Sequence, residues 1–124
     1  MISYLQQPEN SSLCGQTCVS MISGVTLEKS IEVFGSRGGT RPKQLINALK
    51  ELGINCGDSL VRLKKGIIKP PICIVKLHFK DSKHTHWTIW YKDHYLDPAL
   101  PIHISEYPIE VAWETSFIAI NQDF

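Results

Sequence analysis

At Gly53 the spacing of apolar residues changes from helical to alternating, and an order of that kind admits few architectures. Upstream, three helical patterns follow one another. The first covers 14–23 and is closed by Gly24, a residue type that readily takes the left-handed turn at a helix end. Thr26 is placed to cap a second, whose Leu27, Ile31 and Phe34 recur at helical spacing before Gly35 stops it. Thr40 and Pro42 open a third, with Leu45, Ile46, Leu49 and Leu52 on one face and Gly53 as its stop. Between the last two lies Gly35-Ser36-Arg37-Gly38-Gly39. It lacks the Gly-Lys-Ser/Thr ending of a phosphate loop and reads as a mobile connection.

Downstream, residues 60–63 suggest a short strand, and Lys64-Lys65-Gly66 reads as solvated surface. Pro70-Pro71 bars a helix and introduces a strand over 72–79, with Cys73, Val75, Leu77 and Phe79 on its buried face. Strands over 85–91 and 95–97 follow, joined by a tight turn at Lys92-Asp93. Pro98 and Pro101 force an irregular passage before a last strand over 116–120. Helices first and strands afterwards predict a single α+β domain over 1–124 with a mostly antiparallel sheet.

Cys14 falls where the polar run Pro8-Glu9-Asn10-Ser11-Ser12 gives way to the first helix. The first N–H groups of a helix lack internal partners and carry partial positive charge, which favours a thiolate, the nucleophilic form of cysteine. The plainer reading is a buried structural cysteine. Gln6 and Gln7 lie close enough upstream to offer an amide N–H beside it. Alternation puts His86, Thr88 and Trp90 on one face of their strand. With a two-residue turn at Lys92-Asp93, Tyr91 faces His94 and Thr88 faces Asp97. His86 then becomes the diagonal neighbour of Asp97, within reach of an imidazole–carboxylate hydrogen bond. These residues make a candidate nucleophile, base, orienting acid and oxyanion donor. His78, His84, His94 and His103 are rival bases, and Cys18 is expected to pack in the core.

The totals exclude several classes. A net charge of +1, with no basic run longer than Lys64-Lys65, argues against nucleic-acid binding. No stretch approaches the length of a membrane span, and Met-Ile-Ser-Tyr-Leu lacks the character of a signal peptide. Four scattered cysteines suit a reduced, cytosolic setting better than a disulfide framework. Cys14, Cys18, His84 and His86 could together hold zinc, but without the paired spacing such sites usually show. No cofactor is expected.

Gln7 followed by Cys14-Gly15-Gln16-Thr17-Cys18-Val19-Ser20-Met21-Ile22 resembles the nucleophile segment of the bacteriocin-processing (double-glycine) cysteine peptidases, a papain-like group. The similarity extends through the glycine-rich loop, the helix ending at Gly53, His86-Trp87-Thr88-Ile89, Tyr95-Leu96-Asp97-Pro98-Ala99 and the tail around Trp113 and Ile118-Ala119-Ile120. It implies a papain-like fold, with Cys14 as nucleophile, His86 as base, Asp97 as third member and Gln7 as oxyanion donor. The chain departs from that pattern at Leu13, where the family usually has an acidic residue, and in a glutamine-to-cysteine spacing one residue longer. The function implied is a cysteine hydrolase acting on an amide bond, a peptidase first. A glutamine deamidase or acyl transferase of the same fold, working as a toxin or effector module, is the alternative within the class. A catalytically silent binding domain is the alternative outside it. The expected partners are a peptide or protein substrate and an inhibitor or immunity protein. The expected setting is the cytoplasm, or delivery as a module of a larger secreted protein.

Overall fold

A computed structural model describes residues 2–82, 84–101 and 103–124. Helices α1 (Cys14–Ser23), α2 (Leu27–Phe34) and α3 (Pro42–Glu51) precede strands β1 (Val61–Arg62), β2 (Ile72–Phe79), β3 (Thr85–Tyr91), β4 (His94–Leu96) and β5 (Ala112–Ala119). The strands form one antiparallel sheet in the order β1-β5-β2-β3-β4, so the class is α+β. No helix among the described residues is long and apolar enough to cross a membrane.

Local chemistry accounts for the helix boundaries. Gly24 turns into the left-handed region at φ 78°, and its N–H returns to the Ser20 carbonyl, ending α1. The Thr26 hydroxyl accepts the Lys29 N–H at 3.1 Å and caps α2. Pro42, which has no N–H to leave unpaired, begins α3, and the Gln44 side chain accepts the Arg41 N–H at 2.7 Å. α1 is central: its residues 15–22 are all buried, with α2, α3 and β3 packed around it. A helix enclosed in this way holds its first turn in place from several directions.

β2 is buried on both faces, which alternation alone did not reveal. Cys73, Val75 and Leu77 do point into a core, but a small one, shared with Tyr95 and Phe117 and covered by Ile104 and Tyr107. Phe79 is only half-buried. The larger core lies on the opposite face, where Ile72, Ile74, Trp87, Ile89 and Ile118 meet Cys18, Val19, Ile22, Leu45 and Leu49 of the helices. β5 begins at Ala112, ahead of the expected 116, and a bulge opposite Lys76 and Leu77 interrupts its alternation. Cys56, whose polar neighbours suggest exposure, is buried and bridges to Ile120.

The β3–β4 hairpin has the expected register, with Tyr91 opposite His94, Trp90 opposite Tyr95 and Ile89 opposite Leu96. Lys92 crosses the turn at φ 62°. Continuing that register brings Thr88 level with Asp97 and puts His86 on the same face.

Candidate active site

Three separate segments converge at the start of α1. The N-terminal stretch is tied to the turn after β4 by Gln7 N–H to the Pro98 carbonyl at 2.8 Å and by the Tyr4 hydroxyl on the Asp97 carbonyl at 2.7 Å. The glycine-rich loop, expected to be mobile, is tethered instead. Gln16 lies fully buried in α1, and its Nε2 donates to the Gly38 carbonyl at 2.9 Å and the Ser36 carbonyl at 3.2 Å. β3 supplies the third side. Gln7, Ser11, Cys14, Thr40, His86 and Trp87 line the resulting cleft of about 360 Å³. A larger apolar concavity of about 640 Å³ lies at the other end of α1, around Tyr4, Met21, Leu27 and Phe124, and holds none of the candidate catalytic groups.

Gly15 explains how the loop reaches the helix. A β-carbon there would stand 2.3 Å from the Thr40 hydroxyl and 3.4 Å from a Leu45 methyl. Its smallness therefore admits Thr40 and the Leu45 side chain of α3. Gly15→Ala is expected to push Thr40 out of the cleft wall and lower the unfolding midpoint in urea. An unchanged midpoint would mean that the loop yields freely.

Cys14 occupies the first turn of α1, half-buried, with the His86 imidazole beside its sulfur. His86 Nε2 donates to Asp97 Oδ1 at 2.7 Å, and the pair is shielded, the side chains being 10% and 3% exposed. That bond leaves the other ring nitrogen for the thiol. Asp97 Oδ1 also accepts the Ala99 N–H at 2.8 Å, and Oδ2 accepts the Tyr107 hydroxyl at 2.5 Å. Tyr107 in turn lies 2.9 Å from the Thr88 hydroxyl.

The electrostatics follow from these contacts. Burial pushes the Cys14 thiol up, but the imidazole together with the Trp87 and Gly15 N–H groups outweighs it, and the pKa falls below its ordinary 9.0. Burial pulls His86 down, yet the Asp97 carboxylate and the Cys14 sulfur lift it to about 9. Asp97 is raised by burial but lowered further by His86, Tyr107 and Ala99. The Cys14 thiolate and the His86 imidazolium therefore favour one another, and the Asp97 carboxylate steadies the imidazolium.

The other cysteines differ. Burial raises Cys18 well above the ordinary thiol range, Cys73 to about 12, and Cys56 to a lesser degree. Cys18 is fully buried in the larger core. No cluster of three or more described His, Cys, Asp or Glu side chains is spaced to hold a metal ion. His84 is exposed at the rim of the cleft, and His94 pairs with Asp93 at the hairpin turn.

Of the two glutamines, Gln7 lines the cleft, whereas Gln6 is exposed and turned to a different surface. Gln7 Nε2 donates to the Ser11 carbonyl at 3.0 Å, with the Ser11 hydroxyl at 3.3 Å, and its Oε1 is buried without a partner. The amide N–H groups are thus taken up by Ser11 at the edge of the cleft.

Sequence reading missed Tyr107. Tyr107→Phe keeps the ring packed on Tyr95 but removes the O–H that holds Asp97. A hydrogen bond to a buried charge is worth about 1.5–3 kcal/mol, so urea unfolding at pH 7 should show a loss of that order. Because the folded-state pKa of Asp97 is depressed, this stability is present above the ordinary carboxylate range and lost as pH falls through the folded value. The deficit of the variant should therefore shrink in acid. No deficit would show that Tyr107 contributes packing alone, and a deficit constant with pH would show that its O–H does not act through the Asp97 charge.

In comparisons with known proteins, the chain matches no protein-family model and no curated protein.

Proposed function

We propose that the chain is a papain-like cysteine hydrolase that cleaves an amide bond, most readily a peptide bond, with Cys14 as nucleophile, His86 as acid and base, and Asp97 as its orienting partner. One observation carries this reading: a half-buried thiol at a helix start and the imidazole beside it line a single cleft, and a buried carboxylate backs the imidazole from behind. A structural cysteine needs none of these neighbours.

In the proposed reaction the Cys14 thiolate attacks the amide carbon, and the carbonyl electrons move to oxygen. The Cys14 N–H at the helix start and one amide hydrogen of Gln7 stabilise that oxyanion, the latter leaving its longer contact with the Ser11 hydroxyl. The His86 imidazolium gives its proton to the departing amine, leaving a thioester on Cys14. Neutral His86 then takes a proton from water, and the hydroxide formed releases the acid and restores the thiolate. Asp97 keeps the proton on Nε2 of the neutral ring and stabilises the charged one.

The same thioester would form if the leaving group were ammonia from a glutamine side chain, or if an amine replaced water as acceptor. The test is mass spectrometry of a cell-extract proteome incubated with wild-type protein and with Cys14→Ala. New peptide termini that depend on Cys14 support the peptidase. Mass gains of about one unit at glutamine, with ammonia released, would assign a deamidase instead. Identical spectra for the two proteins would favour a binding domain.

Gln7→Ala is expected to lower kcat by about 10²-fold with little change in KM, because an oxyanion donor acts on the transition state. A change confined to KM would make Gln7 a substrate-positioning residue.

A further inference from the structure

Beside the cleft, the sheet carries a row of cations without counter-ions. Register makes Arg62 and Lys76 the direct partners of Ser116 from opposite sides, and Lys76 in turn the partner of Trp87. Direct partners share a face, so Arg62, Ser116, Lys76 and Trp87 cross four strands on one side of the sheet. His78, paired with Thr85 on β3 and Trp113 on β5, adds an imidazole next to the row, its ring 4.5 Å from that of Trp113. Together they line a concavity of about 410 Å³ with Thr85, Thr115 and Ser116. Thr85 lines the cleft of Cys14 and His86 as well, so the two hollows adjoin at that residue.

The charges here are unbalanced. Like several other surface cations, Arg62 and Lys76 have no carboxylate within ion-pair distance among the described residues, and the Lys76 ammonium lies 6.0 Å from the centre of the Trp87 ring. No acidic residue lines the concavity. Arg62 and Lys76 flank Ser116 and line the same hollow, so an anion entering it from outside would meet both charges. Strands two apart lie about 10 Å from each other, which lets two long side chains converge on one small group between them. A guanidinium fork, an ammonium and hydroxyl donors suit a carboxylate. The net charge of +1 and the confinement of the cations to one hollow do not suit a phosphate backbone.

We infer that the cleft continues past Thr85 into an anion subsite, formed by Arg62, Lys76 and His78, that takes an acidic side chain of the polypeptide substrate. As a substrate subsite it rests on the hydrolase reading, but its binding chemistry can be tested without turnover. Acetylated, amidated tetraglutamate and tetraglutamine are titrated at low salt into the ¹⁵N-labelled Cys14→Ala protein, and backbone amide shifts are followed. Tetraglutamate should move the amides of Lys76, Thr85 and Ser116 and bind about tenfold more tightly than tetraglutamine, the scale of a charge-assisted contact. Added salt should weaken it. The Arg62→Gln/Lys76→Gln pair, on exposed and half-buried positions where the fold should persist, should erase the difference.

Equal binding of the two peptides, or a preference that survives the double substitution, would overturn the subsite. So would shifts at these amides with inorganic phosphate but none with tetraglutamate. Tetraglutamate binding without any Cys14-dependent hydrolysis would retain the anion site and overturn the hydrolase. Cys14-dependent hydrolysis with no preference for acidic residues would do the reverse.

Discussion

Cys14→Ala is expected to abolish turnover, by at least about 10⁴-fold, while leaving the fold intact. Without the sulfur no thioester can form, and nothing else in the cleft replaces it: the nearest second thiol, Cys18, is fully buried in the core. The stability side is just as definite. Alanine is the best helix former, and position 14 is a half-buried first-turn site, so the urea midpoint should barely move. Cys18→Ala should show the opposite pattern, losing about 1 kcal/mol of stability as a small core truncation and keeping its kcat. The pair of variants separates chemistry from packing in one experiment, read by kcat and urea unfolding together. Turnover surviving in Cys14→Ala would overturn the nucleophile assignment.

The second large effect is expected at the imidazole and its carboxylate. In the proposed reaction His86 both holds the thiolate and protonates the leaving amine, so in His86→Ala kcat should fall by orders of magnitude. Asp97→Asn should cost about 10⁴-fold, because an amide facing Nε2 can stabilise the wrong tautomer and cannot steady the imidazolium. It also weakens the hold of Ala99 N–H and Tyr107 O–H on that position. His84→Ala and His94→Ala, at the cleft rim and the hairpin turn, should change little. The pH profile gives an independent check. Activity should rise as the thiol ionises, below its ordinary 9.0, and fall as the imidazolium is lost near 9. In His86→Ala the acid limb should move up towards the value of an unassisted thiol. If His84→Ala proves the crippling substitution, the role given to Asp97 falls with that of His86.

Much of this arrangement could be read from local signals. Gly24, Thr26 and Gly35 mark helix ends through their own conformational preferences, and Pro70-Pro71 followed by alternation marks β2. The two-residue turn at Lys92-Asp93 carries the most information, because it sets the register that brings His86 to Asp97. What stayed hidden depends on contacts between distant segments. Tyr107 sits in an irregular passage with no period, and only folding brings its hydroxyl to Asp97. Gln16 is a polar residue inside a helix pattern whose carbonyl partners lie in the glycine-rich loop. β5 was read too short because Trp113 is exposed and the bulge opposite Lys76 and Leu77 breaks its alternation. Alternation in β2 pointed to one buried face, whereas helices cover one side and the segment carrying Tyr107 covers the other.

A nucleophilic Cys14 must be an activated thiol, and its rate of alkylation reports whether it is. Wild-type protein is treated briefly with iodoacetamide across a pH series, and each cysteine is followed by peptide mapping. Burial raises Cys18, Cys56 and Cys73, so only Cys14 should be labelled near pH 6, and His86→Ala should slow that labelling. Labelling of Cys14 that rises only with a midpoint near the ordinary thiol value of 9.0, unchanged in His86→Ala, would instead mark a binding domain with an unactivated thiol.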